Sequence, residues 1–142
     1  MSSPVLSVYT DGAARGNPGH AGMGIVVLDA AGETVAEWNG YLGHCTNNVA
    51  EYSALLSAVE RVGTMSPSKV RFHLDSELVV KQLNREYKVR DEKMKELYAR
   101  VRKALEKIPV YRISHVARSL NARADHLANE AIDAELEGRS PS

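Results

Sequence analysis

Four carboxylates carry the most specific chemical suggestion in this 142-residue sequence. Asp11 follows the apolar run Val5-Leu6-Ser7-Val8-Tyr9-Thr10, and Asp75 follows Val70-Arg71-Phe72-His73-Leu74 in the same manner. Glu51 and Asp125 fall in the first turns of helical stretches, behind Thr46-Asn47-Asn48 and Asn121. Acids gathered in a partly desolvated place raise one another's pKa, so a cluster of them calls for a cation. Oxygen ligands with no histidine–cysteine cluster favour Mg²⁺ or Mn²⁺ over zinc. Four carboxylates can hold two such ions roughly 3.5–4 Å apart, the arrangement that suits in-line displacement at phosphorus. Spacing alone leaves plainer readings open. Glu51 in a first helical turn also suits the helix dipole, and one strand-end aspartate makes no site.

The elements that must position these acids follow from periodicity. The run Val5 to Thr10 reads as a buried strand ending at Asp11, with a glycine- and proline-rich loop, Gly12 to Gly19, behind it. Met23 to Leu28 and Thr34 to Tyr41, joined by the turn Asp29-Ala30-Ala31-Gly32, form an antiparallel hairpin. Helical spacing of Tyr52, Leu55, Leu56, Val59 and Val62 predicts a helix from Thr46-Asn47-Asn48 to about Val62. Val70 to Leu74 is a fourth strand, and a helix runs from Ser76 to about Asn84. A right-handed crossover would set this strand parallel to the first, with Asp11 and Asp75 at one sheet edge. A third helix, with Met94, Leu97, Tyr98, Val101, Leu105 and Ile108 at helical spacing, runs from Asp91 to Ile108 and stops at Pro109, and Val110 to His115 is a fifth strand. Asn121 caps a last helix with the stripe Ala124, Leu127, Ala128, Ala131 and Ile132, and 137–142 reads as a frayed tail. The expectation is a single α/β domain over 1–142 with an ordered core of about 4–136.

Bulk composition narrows the class. Apolar content of 44% and charged content of 25% are those of a globular domain, and no apolar stretch approaches a membrane span. The single cysteine, Cys45, suits a reducing compartment, and Met1-Ser2-Ser3-Pro4 lacks the pattern of a signal peptide, so a cytoplasmic location is expected. Net charge is zero, yet between Lys81 and Lys107 ten basic residues stand against five acidic ones. Solvated helix faces explain most of these, and a local nucleic-acid patch is the sharper alternative.

Four motifs in order resemble the type 1 ribonuclease H family over nearly the whole chain, from Val5 to about Ala134. They are Thr10-Asp11-Gly12 with Gly16-Asn17-Pro18-Gly19, Thr46-Asn47-Asn48-Val49-Ala50-Glu51, Asp75-Ser76, and Asn121-Ala122-Arg123-Ala124-Asp125. The resemblance implies a five-stranded mixed sheet, its first three strands antiparallel and strands 1, 4 and 5 parallel, with helices on both faces. It implies endonucleolytic hydrolysis of the RNA strand of an RNA–DNA hybrid, leaving 5′-phosphate and 3′-hydroxyl ends, with two Mg²⁺ ions for which Mn²⁺ can substitute. Asp11 would bridge the ions, Glu51 and Asp75 would hold the one that activates water, and Asp125 the one facing the leaving group. His115 matches the family's mobile-loop histidine, a proton carrier or aid to product release, with Arg118 a helper on the same loop. Gly12, Asn17, Thr46, Asn47 and Asn48 match positions near the hybrid, and Arg15 could touch phosphate or face water. The partner expected is thus a hybrid duplex, engaged by a monomer with no obligate protein partner and no membrane.

Two departures qualify the resemblance. Where some relatives carry a long basic protrusion after the second helix, this chain has only Asn84 to Arg90, and Glu77 stands where several relatives have an amide. A same-fold nuclease acting on double-stranded RNA and a non-catalytic nucleic-acid-binding module are the rival readings.

Overall fold

A computed structural model describes residues 4–138. The chain order is β1 (Val5–Gly16), β2 (Gly19–Leu28), β3 (Thr34–Cys45), α1 (Asn47–Gly63), β4 (Lys69–Leu74), α2 (Glu77–Leu83), α3 (Glu92–Leu105), β5 (Tyr111–His115) and α4 (Ala122–Leu136), with a 3₁₀ turn, Arg118–Asn121, before α4. The five strands form one sheet in the order β3-β2-β1-β4-β5. β1, β2 and β3 are antiparallel neighbours, whereas β4 and β5 run parallel to β1. This is the mixed sheet expected from the sequence.

Alternation along β1 decides which helix meets which face. Leu6 and Val8 join Ile25, Val27, Val70, Phe72 and Leu74 under α1, α2 and α3, in a core that includes Tyr52, Leu55, Val59, Met94, Leu97 and Val101. Tyr9 lies on the opposite face with Val26, where Ala124 and Leu127 of α4 cover the sheet. The helical stripes read from the sequence are the buried stripes of α1, α3 and α4.

Several boundaries differ from the sequence reading. β1 does not stop at Asp11 but runs on to Gly16, so the glycine segment is a strand in a hairpin rather than a loop. Its parallel pairing with β4 ends at Thr10 and Leu74, and beyond that point β1 is held by β2 alone. α1 begins at Asn47, which puts Glu51 past the first turn and removes the dipole explanation for it. α2 is a residue shorter at each end than expected. α3 closes at Leu105 because Glu106, Lys107 and Ile108 donate to carbonyls three residues back, a tightened turn that still buries Ile108 ahead of Pro109. The frayed tail expected over 137–142 lies outside the described residues from 139 onward.

Three glycines, Gly12, Gly22 and Gly24, set how closely the helices approach the sheet. A Cβ on Gly12 would fall on the Ala50 carbonyl of α1, and one on Gly24 would fall on the Ala124 carbonyl of α4 and lie 2.8 Å from Ala128 N. Asp11 is next to Gly12 in the chain and opposite Gly24 across the β1–β2 pair, so both contacts frame it. Gly24→Ala is therefore expected to cost about 1–3 kcal/mol through overpacking. Gly63→Ala, where a Cβ meets nothing within 4 Å, should leave stability unchanged or raise it by up to about 1 kcal/mol. Urea denaturation of the two variants beside the parent checks this order.

Candidate active site

Because β1 outlasts its parallel pairing, Asp11 stands one residue past Thr10, level with Asp75, which follows Leu74. The close approach at Gly12 brings in α1, and Glu51 closes the group from that side. Asp11, Glu51 and Asp75 each offer a carboxylate oxygen, and these oxygens all lie within 4.8 Å of one another. Asp125, in the first turn of α4, lines the same cleft of about 240 Å³ together with Gly12, Asn47, Ser76 and Arg118. It stands close enough to Asp11 for its charge to raise the Asp11 carboxyl. The structure thus brings together all four acids singled out in the sequence.

Their electrostatics show what such a cluster lacks. Asp11 is 4% exposed and Glu51 2%. Burial first, then the charges of Asp75 and Asp125, push the Asp11 carboxyl up to about 8. Burial, followed by Asp11 and Asp75, holds Glu51 well above the usual carboxylate range, against the lowering effect of the Gly12 backbone N–H. Glu51 Oε2 is buried with no hydrogen-bond partner among the described residues. An orphaned acceptor oxygen beside two further carboxylates is a donor set that fits a hard divalent cation, and a divalent charge would remove the mutual repulsion.

Asn121 is a site residue that sequence reasoning missed. It was expected to cap α4, but its side chain makes no cap bond. It is fully buried, and its Nδ2 donates to the Thr10 carbonyl at 2.9 Å and to Asp75 Oδ2 at 3.0 Å. One amide thereby ties the end of β4 to β1, next to Asp11. Asparagine at a helix start is ambiguous in sequence, because a cap and a buried donor look alike there.

Of the expected substrate residues, Gly12, Asn47 and Arg118 line the cleft. Asn17 Oδ1 accepts from Asn47 N at 3.1 Å, linking the β1–β2 hairpin to the start of α1. Thr46 is the N-cap of α1 and accepts from Val49 N at 3.2 Å. Asn48 is half-buried in the first turn, and Arg118 reaches the cleft from the 3₁₀ turn. His115 is exposed at the end of β5, opposite Leu74, and does not line the cleft itself. Glu77 is exposed and ion-paired with Lys81 at 3.0 Å, which with a smaller influence from His115 holds its carboxyl below the usual range. Of the remaining histidines, His20 meets Tyr41 and His44, His73 stacks on Tyr9, and His126 pairs with Glu130.

The raised Asp11 value has a pH consequence. Between its ordinary 3.8 and about 8, the folded protein keeps a proton that the unfolded chain has released. Stability of the metal-free protein therefore falls as pH rises through that window. An amide in place of this carboxyl cannot ionise, so in EDTA the Asp11→Asn variant should be the more stable protein near pH 8, by on the order of 1 kcal/mol or more, and match the parent near pH 4. Calorimetric melting of both proteins across this range is the check, and a parent indifferent to pH would contradict it.

The family described as reverse transcriptase-like matches residues 9–131. Ribonuclease HI of Halobacterium salinarum is 42% identical over 128 residues, covering 90% of this chain and 64% of its own length. Ribonuclease HI of Caulobacter vibrioides is 33% identical, covering 92% of this chain and 94% of its own. The crystal structure of LC11-RNase H1 in complex with an RNA/DNA hybrid superposes with a TM-score of 0.89 at 43% identity, over 92% of this chain and 99% of that one. The chain spans under two thirds of the Halobacterium protein and 35% of its mycobacterial relatives. Among the described residues, no helix is long and apolar enough to cross a membrane. With the fold, the carboxylate cluster and these likenesses in agreement, the chain belongs to the type 1 ribonuclease H family.

Proposed function

We propose that the protein is an endoribonuclease that hydrolyses the RNA strand of RNA–DNA hybrids, leaving 5′-phosphate and 3′-hydroxyl ends. The observation that carries this is the cluster of buried Asp11 and Glu51 with half-buried Asp75, and Asp125 at the same cleft, in a chain of this family. Two Mg²⁺ ions, or Mn²⁺ in their place, would be held by these four side chains. Bound there, they lower the pKa of the attacking water and neutralise charge developing on the phosphate oxygens. The protein's own part is to hold four acids at fixed positions and to keep them ionised once the cations arrive. Asn121 keeps Asp75 in place beside the end of β1.

Around the cleft, Gly12, Asn17, Thr46, Asn47, Asn48 and Arg118 are the residues we assign to the substrate. Asn17 spends its carbonyl oxygen on Asn47 N, so its two amide hydrogens are the groups it can offer to a duplex. Amides at the head of α1 suit a shallow minor groove, where the 2′-hydroxyl distinguishes RNA from DNA. His115, exposed at the strand end, is the residue we assign to proton transfer at the cleft. The unit acts as a single domain of about 4–136, as a monomer, in a reducing cytoplasm that leaves Cys45 a thiol. With only Asn84 to Arg90 after α2, affinity for hybrid is modest and, because it rests on backbone phosphates rather than on base readout, depends strongly on salt.

Incubation with labelled RNA–DNA hybrid, double-stranded RNA and double-stranded DNA, with Mg²⁺, Mn²⁺ or EDTA, tests the assignment. Cleavage of the hybrid RNA strand with metal alone is expected. Intact hybrid would favour a binding module, and cleaved double-stranded RNA would redirect the substrate. Asp11→Asn should still bind hybrid and lose about 10³-fold or more in kcat, since several kcal/mol of cation-derived stabilisation goes with it. His115→Ala should lose about 10²-fold, the ordinary worth of a proton-transfer group.

A further inference from the structure

β1 and α4 carry matching ladders. On β1, Asp11 and Arg15 are four residues apart and so share a face, about 13 Å from one another along the strand. On α4, Asp125, Asn129 and Asp133 recur every four residues along one helix face and span about 12 Å. The first rungs, Asp11 and Asp125, meet at the cleft. At the far end, Arg15 Nη1 donates to Asp133 Oδ1 at 2.6 Å, and Arg15 Nη2 donates to Asn129 Oδ1 at 3.1 Å and to the Asn129 carbonyl at 3.3 Å. Asn129 Nδ2 in turn donates to Asp125 Oδ1 at 3.3 Å and to the Asp125 carbonyl at 3.0 Å.

From this chain of bonds we infer that Arg15 and Asn129 are positioning residues for Asp125, an inference that rests on the reading of Asp125 as a cation ligand. The chemistry of the bonds fixes their direction. A guanidinium only donates, so the Asn129 side-chain oxygen must face Arg15. The amide nitrogen is thereby turned to Asp125, where it donates to one carboxylate oxygen and leaves the second for a cation. Asp133 anchors the arginine through an ion pair at 2.6 Å. Asp125 needs such support more than its partners do. Asp11 is strand-bound, Glu51 is packed within α1, and Asp75 is held by Asn121, whereas Asp125 is half-buried on the outer edge of its helix. Outer partners that orient a ligand in this way are commonly worth 10–100-fold in metal affinity or activity.

Asn129→Leu, which keeps the volume and removes both amide functions, is the direct test, with Arg15→Lys as a second variant that keeps the Asp133 ion pair and loses the fork to Asn129. Melting temperature is followed during Mg²⁺ titration without substrate, and hybrid cleavage is measured in parallel at several Mg²⁺ concentrations. The inference expects the Mg²⁺ midpoint to rise about 10-fold or more for Asn129→Leu and by less for Arg15→Lys. It also expects kcat to fall about 10–100-fold with KM for hybrid within about two-fold, and to recover partly at high Mg²⁺. Mg²⁺ midpoints within about two-fold of the parent in both variants would overturn it, since a merely structural bridge would lower melting temperature without touching the cation. If the parent binds Mg²⁺ but leaves hybrid intact, the substrate reading fails while the Mg²⁺ titration still decides the role of Asn129.

Discussion

Mutual repulsion among buried carboxylates is the constraint on which the rest of the structure turns. Asp11 and Glu51 are nearly inaccessible, and each is held well above its ordinary pKa, chiefly by burial and then by acidic neighbours. A fold that places acids this way without a cation carries a destabilising charge, so the surrounding packing must be rigid enough to hold them regardless. The glycine contacts supply that rigidity. Gly12 lets α1 close on β1, and Gly24 lets α4 close on β2, so the walls of the cleft are set by backbone meeting backbone rather than by side chains that could rearrange.

The polar network around the cluster has the same purpose by other means. Asn121 is buried at a point where β1 and β4 cease to pair, and its amide supplies donors to the Thr10 carbonyl and the Asp75 carboxylate. Asn17 holds the start of α1 against the hairpin, and Thr46 caps that helix. The Arg15–Asn129–Asp125 chain belongs to this group, reaching the cluster from the end of the hairpin. Support thus arrives from β1, α1 and α4 at once: Asn121 and Asn129 donate to carboxylates and to backbone carbonyls, whereas Asn17 and Thr46 accept from backbone N–H groups at the head of α1.

The acids stand at fixed positions, and Asn47 and Arg118 line the same cleft. Elements far from the cleft need do little more than close the core, and α3 does so with the stripe Met94, Leu97, Val101 and Leu105.

Much of this was legible in the residues. Strand alternation and the 3.6-residue stripes of α1, α3 and α4 are local patterns, so they marked the elements and their buried faces directly. Residue types at Asp11, Glu51, Asp75 and Asp125 stated the chemistry, and their motifs stated the family. What only the tertiary structure decided was relative level and depth. That β1 runs past β4, placing Asp11 beside Asp75, depends on which strand pairs with which; that Glu51 is buried depends on how closely Gly12 admits α1. Asn121 read as a cap and Arg15 as a group bound for phosphate or water, because a polar side chain's partner more than a hundred residues away leaves no mark on its own neighbourhood in the sequence.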